Sequence, residues 1–215
     1  MARKIKPLVF VFWEGESEQA YSKYLKTAFE DVAVIRFPTN PGLFLEAKNM
    51  FKNNPKYRNN AEVTDEIWFF FDTELEKTAH WDRNYKIIKE LRKIRKSQIK
   101  VRLLMTTACV EYWMLLHYER TAPAIVSLAD KERIKNRVKR HVPLYEKGDY
   151  QTTCEIAKNY ETAIENGKWT LISLQDDGLP TMEETDERNC WLFQGSRTFT
   201  TVHEAVEFLV KLKDN

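Results

Sequence analysis

Two short apolar runs, each ending abruptly in acids, constrain this chain more than any other feature. Phe10–Trp13 runs into Glu14-Gly15-Glu16-Ser17-Glu18, and Ile67–Phe71 runs into Asp72-Thr73-Glu74. Apolar runs this short, with no polar alternation, read as strands buried on both faces. Each acidic cluster then sits where a strand ends. Amphipathic segments separate the strands. Ser17 is expected to be the helix N-cap of a segment reaching about Glu30, with Tyr21, Tyr24, Leu25, Ala28 and Phe29 at helical spacing. Val32–Phe37 reads as a second strand, stopped by Pro38, with Pro41-Gly42 as a turn. Leu43–Lys52 reads as a helix. Arg83–Lys96 is a further helix, carrying Ile87, Ile88, Leu91 and Ile94 on one face. Val101–Met105 is a strand, and Val110–Glu119 an apolar helix. The alternation of strand and helix predicts an α/β fold with a mainly parallel sheet flanked by helices. Ligands of such sheets bind outside the carboxyl ends of the strands, where both acidic clusters fall.

The remainder is less regular. Residues 128–166 have helical patterning, high charge and no strand signal, and read as a helical insertion or subdomain. Trp169–Leu174 is expected to be a short strand, Asp176–Glu187 a loop, Cys190–Phe193 an edge strand and Thr201–Leu212 a closing helix. With 215 residues, the chain suits one domain with an insertion. Its expected organisation is an α/β core over 1–126, a helical insertion over 127–168, and a segment over 169–215 that completes the core. Cys109, Cys154 and Cys190 lie far apart without zinc spacing, which fits a reducing compartment. The apolar run after the basic start is too short for a leader, and no segment approaches a membrane span, so the expectation is a cytoplasmic protein that does not engage a membrane.

Hard oxygen donors at neighbouring strand ends are what Mg²⁺ or Mn²⁺ requires. Glu14, at a strand tip, is the first ligand candidate. Glu16 and Glu18 suit the start of a helix, whose dipole favours acids, and Glu18 is also placed to support the site. Asp72 and Glu74, two apart on an extended segment, point to nearly the same side. Glu111 opens an apolar helix directly after a strand, where a carboxylate is costly unless paired or bound to metal. His117, six positions on, lies about 120° around that helix. It reads as a hydrogen-bonded core or edge histidine, with a supporting role at the site as the alternative. The net charge is only +2, so a basic binding surface has to be local. Lys86–Arg102 holds eight Lys or Arg against Glu90, and Lys131–Arg140 holds six against Glu132. Such runs, including Lys93, Lys96, Arg137 and Arg140, suit a phosphate backbone or else form solvated helix faces. No Walker A loop, Gly-x-Gly-x-x-Gly, Gly-x-Ser-x-Gly or His-Glu-x-x-His occurs, which argues against those chemistries.

These motifs together resemble the RloB family, whose members often lie beside an ATPase gene in bacterial restriction and phage-defence loci. The opening Glu-Gly-x-x-Thr-Glu-x-x-Tyr of that family is similar to Glu14–Tyr21, with Ser17-Glu18 in place of a Thr-Glu pair shifted by one. Its Phe-Asp-x-Asp resembles Phe71–Glu74. Its Ser-Asn-Pro-Cys-Phe-Glu-x-Trp-x-x-x-His resembles Thr106–His117. Tyr145-Glu146-Lys147 resembles a Tyr-x-Lys segment, and Thr198–His203 the closing helix. The resemblance implies a Toprim-like fold, the metal-binding α/β fold of topoisomerases, primases and overcoming-lysogenisation-defect nucleases. It further implies Glu14, Asp72 and Glu74 as ligands of Mg²⁺ or Mn²⁺. Two positions depart from the pattern. Glu74 stands for an aspartate, and Thr106-Thr107-Ala108 stands for Ser-Asn-Pro.

The expectation that follows is a metal-dependent nuclease in phage defence, cutting DNA or RNA, with tRNA suggested by analogy with a related Toprim toxin. Glu14, Asp72, Glu74 and Glu111 are its expected catalytic residues, with Glu111 as an orienter, a further ligand or a general base. Lys147 is the expected phosphate contact, and an ATPase the expected partner. Oligomeric state is left open. The rival is a non-catalytic sensor or effector subunit of the same fold. A third reading is a phosphodiesterase of small molecules.

Overall fold

The computed structural model describes residues 6–53, 63–73, 81–94 and 98–214. Its centre is a sheet of four strands, β1 (Leu8–Trp13), β2 (Val34–Arg36), β3 (Glu66–Thr73) and β4 (Lys100–Thr107). All pair in parallel, in the order β2-β1-β3-β4. The chain winds outward from β1 to β2, then returns to place β3 on the other side of β1. The switch point therefore lies between β1 and β3, the position at which such sheets bind ligands.

The helices follow from the amphipathic segments: α1 (Glu16–Ala28), α2 (Phe44–Lys48), α3 (Trp81–Arg92), α4 (Val110–Leu115), α5 (Leu128–His141), α6 (Tyr150–Ala157), α7 (Tyr160–Ile172), α8 (Asp186–Gln194) and α9 (Val202–Asp214). One π-helical turn, Asn49–Asn53, prolongs α2. Every residue of β1 is buried, and in β3 only Asp72 is not fully so. Val9, Val11, Trp68, Phe70 and Leu104 face a core built with α1, α4, α5, α6, α7 and α9. Phe10, Phe12, Ile67, Phe69, Phe71, Leu103 and Met105 face the other core, with α2, α3 and α8. Phe44 stacks on Phe69 with ring centroids 4.2 Å apart, and Phe51 meets Phe10 edge-on at 5.2 Å. Each such side chain contributes about 1.5–3 kcal/mol through burial. The helices over 127–168 add Ile134, Val138, Ile156, Ala163 and Ile164 to the first core.

Two elements differ from the sequence expectation. Trp169–Leu174 is no strand: it is the last turns of α7 and the turn after it. Ala163, Ile164, Gly167, Thr170 and Leu171 are buried at helical spacing, and the Thr170 hydroxyl bonds back to the Gly167 carbonyl. Cys190–Phe193 is likewise inside α8. Thr185 caps that helix by accepting from the Arg188 N–H, and acids fill its first turn. Aromatic and β-branched content in the first segment, and a short apolar, aromatic run in the second, mimicked strands, while periodicity and capping decided the outcome. The exposed edge of β4 is covered instead by the segment before α9. Thr106 and Thr200 form an antiparallel bridge, and the Thr201 hydroxyl accepts from Met105 N at 2.8 Å and donates to Leu103 O at 2.6 Å. Among the described residues no helix is long and apolar enough to cross a membrane.

Candidate functional site

The acids converge because three chain segments end at the same edge of the sheet. The Glu14 N–H donates to Phe70 O at 3.2 Å, which carries the β1–β3 pairing one residue past β1. Asp72 pairs in register with Thr106 and shares a face of β3 with Trp68 and Phe70. Glu14 and Asp72 therefore flank the switch point. Gly15 has an extended backbone (φ −124°) that any residue adopts. Its requirement is space, since a Cβ there would lie 2.8 Å from Glu18 Oε2. The missing side chain lets the Glu18 carboxylate fold back beside Glu14. Glu18 is buried, whereas Glu16 is exposed. Beyond β4 the chain reverses at Ala108, a non-glycine residue at φ 65°, and Cys109 caps α4. That turn sets the buried Glu111 toward the same edge.

Four carboxylates thus share one region. Burial first, then Glu14 and Glu111, raise Glu18 to about 7 against the lowering effects of its own backbone N–H and Lys147. Asp72 is raised well above the usual carboxylate range by burial, then by Glu18, Glu111 and Glu14, with Lys131 opposing. Its Oδ1 is enclosed and has no hydrogen-bond partner. The contrast with Glu66, on the same face at the other end of β3, is instructive. Glu66 Oε2 accepts from Trp68 Nε1 at 2.7 Å and from Arg102 Nε at 2.6 Å, and Arg102 reaches Oε1 at 3.1 Å. The fold neutralises one buried acid of β3 with an arginine and leaves the other among like charges.

The connection from α5 to α6 passes over this cluster. Tyr145, fully buried, donates to Glu111 Oε1 at 3.2 Å, and Lys147 Nζ lies 3.6 Å from the same oxygen. The Gly148 N–H donates to the Ser17 hydroxyl at 3.1 Å. Gly148 is required there on two counts: its φ is 74°, and a Cβ would lie 2.8 Å from Glu16 Cβ. Burial alone would lower Lys147, but Glu111, Asp72, Cys109 and Glu18 outweigh it and raise the ammonium. Most of its side chain is exposed, so its charge is presented to solvent at the mouth. Burial, Glu111 and Asp72 lift the Cys109 thiol to about 12, which keeps it protonated.

His117 stands behind the acids. Its Nδ1 lies 2.9 Å from Trp113 O, and its Nε2 3.1 Å from the Tyr21 hydroxyl. With Nδ1 protonated, Nε2 accepts from Tyr21, and the neutral ring ties α1 to α4. Burial lowers it to about 4. It positions the helices that carry Glu18 and Glu111.

The other sequence candidates among the described residues are dispersed. Glu74 and Lys96 lie outside the described residues. Lys93 follows α3, whose end precedes β4, so it lies at the opposite end of the sheet from Asp72, about 20–25 Å away along the strand. Arg137 is ion-paired with Glu119, which His141 also contacts at 2.9 Å. Arg140 is exposed on the same helix. The basic runs pack on opposite faces of the sheet, through Ile87, Ile88 and Leu91 in one and Ile134 and Val138 in the other. Sequence reasoning missed the approach of Lys131, whose charge acts on Asp72 and Cys109. Its signal was a place at the head of the Lys131–Arg140 basic run, near the start of a helix.

The donor chemistry fits a hard divalent cation: carboxylate oxygens only, an orphaned buried Oδ1, and like charges that a cation would relieve. Among the described residues no three such groups already converge closely enough to hold one ion. Glu14 is exposed at the rim of the cluster, and Glu18 is buried beside it. Residues 9–209 match the family model described as RloB-like protein. No curated protein and no solved structure matches the chain.

Proposed function

The chain belongs to the RloB-like family, and from that premise we propose that it is a metal-dependent nuclease of nucleic acid. The observation that carries this reading is the cluster of Glu14, Glu18, Asp72 and Glu111 at the switch point, with Asp72 raised by burial and by its acidic neighbours and its enclosed Oδ1 left without a hydrogen-bond partner. Glu14, Asp72 and Glu74 would hold Mg²⁺ or Mn²⁺, with Glu18 beside them. When bound, such an ion supplies Lewis acidity and a water of lowered pKa. The residues of the chain do the rest. Lys147, carried over the mouth, and Lys131 draw in the phosphate and orient it. Glu111, fixed by Tyr145 and Lys147, orients the water or accepts its proton. Tyr21 and His117 hold α1 against α4, so that Glu18 and Glu111 keep their spacing.

The test is purified protein with Mn²⁺ or Mg²⁺ against DNA, tRNA and total RNA, alongside Asp72→Asn. Cleavage lost in that variant supports the reading, and cleavage unchanged by it would sink the assignment. Millimolar Mn²⁺ should also raise the melting temperature of the parent and not that of Asp72→Asn. A second reading, a non-catalytic subunit working with an ATPase, draws on the lack of a preformed cage among the described residues. It expects equal melting with and without metal, and co-purification with an ATPase regardless of Asp72.

A further inference from the structure

A groove of about 530 Å³ opens on the β2 side of Glu14, within the size range of small-molecule sites. One wall is the end of β1 and the first turns of α1, presenting Trp13, Glu14 and Gln19. The other is the loop after β2, presenting Phe37, Pro38 and Pro41. Phe37 meets Trp13 edge-on, with centroids 5.1 Å apart, and Trp13 pairs with Gly42 through the backbone. The loop is therefore held against the sheet, and the half-buried Phe37 ring lines the opening.

We propose that this groove holds one unpaired nucleobase of the strand whose phosphate lies at the acidic cluster. The inference rests on the nuclease reading and deepens it: the substrate is single-stranded, or is unpaired beside the scissile bond. Three observations support it. Glu14 belongs to both places, so an occupant of the groove is continuous with a group at the cluster. The apolar wall of Phe37, Pro38 and Pro41 suits the face of a base, and every base has one. Glu14 and Glu16 on the other wall repel phosphate, yet they accept N–H donors, as the Gln19 amide also can. A duplex cannot place a base there without unpairing it.

The experiment uses the full chain with calcium in place of magnesium, and fluorescence anisotropy of labelled oligonucleotides. The probes are a single strand, its duplex, and the same strand with abasic sites. Gln19→Trp fills the groove from the helix surface without replacing a core residue, and Phe37→Ala removes the stacking ring. Each should weaken single-strand binding about tenfold, the scale of one stacked base. Neither should weaken binding of the abasic strand, whereas Lys147→Ala should weaken all. Loss in Lys147→Ala with parental binding in Gln19→Trp and Phe37→Ala would overturn the groove and spare the site. Loss in the groove variants, without metal-dependent cleavage by the parent, would keep the groove and sink the nuclease. Equal affinity for intact and abasic strands, or no binding of any oligonucleotide, overturns the proposal. So does binding of oligolysine that Gln19→Trp alone abolishes, because the occupant would then be a basic peptide.

Discussion

Gly15 and His117 show how single positions hold the acids in place without belonging to the chemistry. At Gly15 an alanine would press on the flexible end of Glu18 rather than on backbone. Gly15→Ala should therefore cost less than about 1 kcal/mol in folding, since the extended backbone accepts it. It should nonetheless reduce stabilisation by Mn²⁺ about tenfold in concentration, as read from melting titrations. Unchanged metal dependence would mean that Glu18 has no part in binding. At His117 the prediction concerns acid. Its folded pKa of about 4 lies below the unfolded value of about 6.5, so the unfolded chain takes up the proton first. Stability is complete above about pH 6.5 and is lost as the pH falls toward 4, by about 3 kcal/mol. His203, which burial and Arg188 lower to about 3, adds to the same acid limb. Urea midpoints between pH 7 and 4 should fall less in His117→Gln than in the parent. Parallel curves would reject the assignment. Glu14, Asp72 and Glu111 were legible as carboxylates at strand ends. The burial of Glu18 was not, because a first-turn acid looks the same whether it faces solvent or a neighbour.

Among the elements, β1, β3 and α1 were read closely from pattern, because runs buried on both faces and helical periodicity leave few alternatives. Residues 169–174 and 190–193 failed for the reason those succeeded. The segments are short, apolar and aromatic, and only the cap at Thr185 and the spacing of Gly167, Thr170 and Leu171 mark them as helix. In the strap from Val142 to Asp149 the family resemblance pointed to Lys147, but nothing in the pattern pointed to the contact of Tyr145 with Glu111, which spans 34 residues. The edge of β4 offers a test at this scale. Thr201 bonds to both Met105 N and Leu103 O, and Thr106 meets Thr200 at 3.2 Å. Thr201→Ala should cost about 1–3 kcal/mol by orphaning a buried N–H. It should also raise aggregation on heating, as the strand edge opens. Light scattering during melting reads this, and scattering equal to the parent would mean that α9 alone guards the edge.

Across the whole molecule the sheet has one electrically settled end and one unsettled end. Arg102 settles the first, bridging Glu66 and Glu184, where Lys100 also reaches Glu184 at 3.0 Å. Arg102→Met should destabilise by about 3–5 kcal/mol, because Glu66 would remain buried without its partner. Asp72→Asn, which removes a charge from the crowded end, should instead raise the melting temperature of the metal-free protein. Denaturation of the two variants side by side checks both signs, and a destabilised Asp72→Asn would mean that the cluster is already compensated. The acids belong to the sheet and the helices that follow its strands, whereas Lys147 and Tyr145 arrive on the connection between α5 and α6. On the proposed function, the parts that would do chemistry and a part that would meet the substrate are thus separate stretches of chain. Descendants of such a protein can exchange the strap and acquire a new target while inheriting the reaction unchanged.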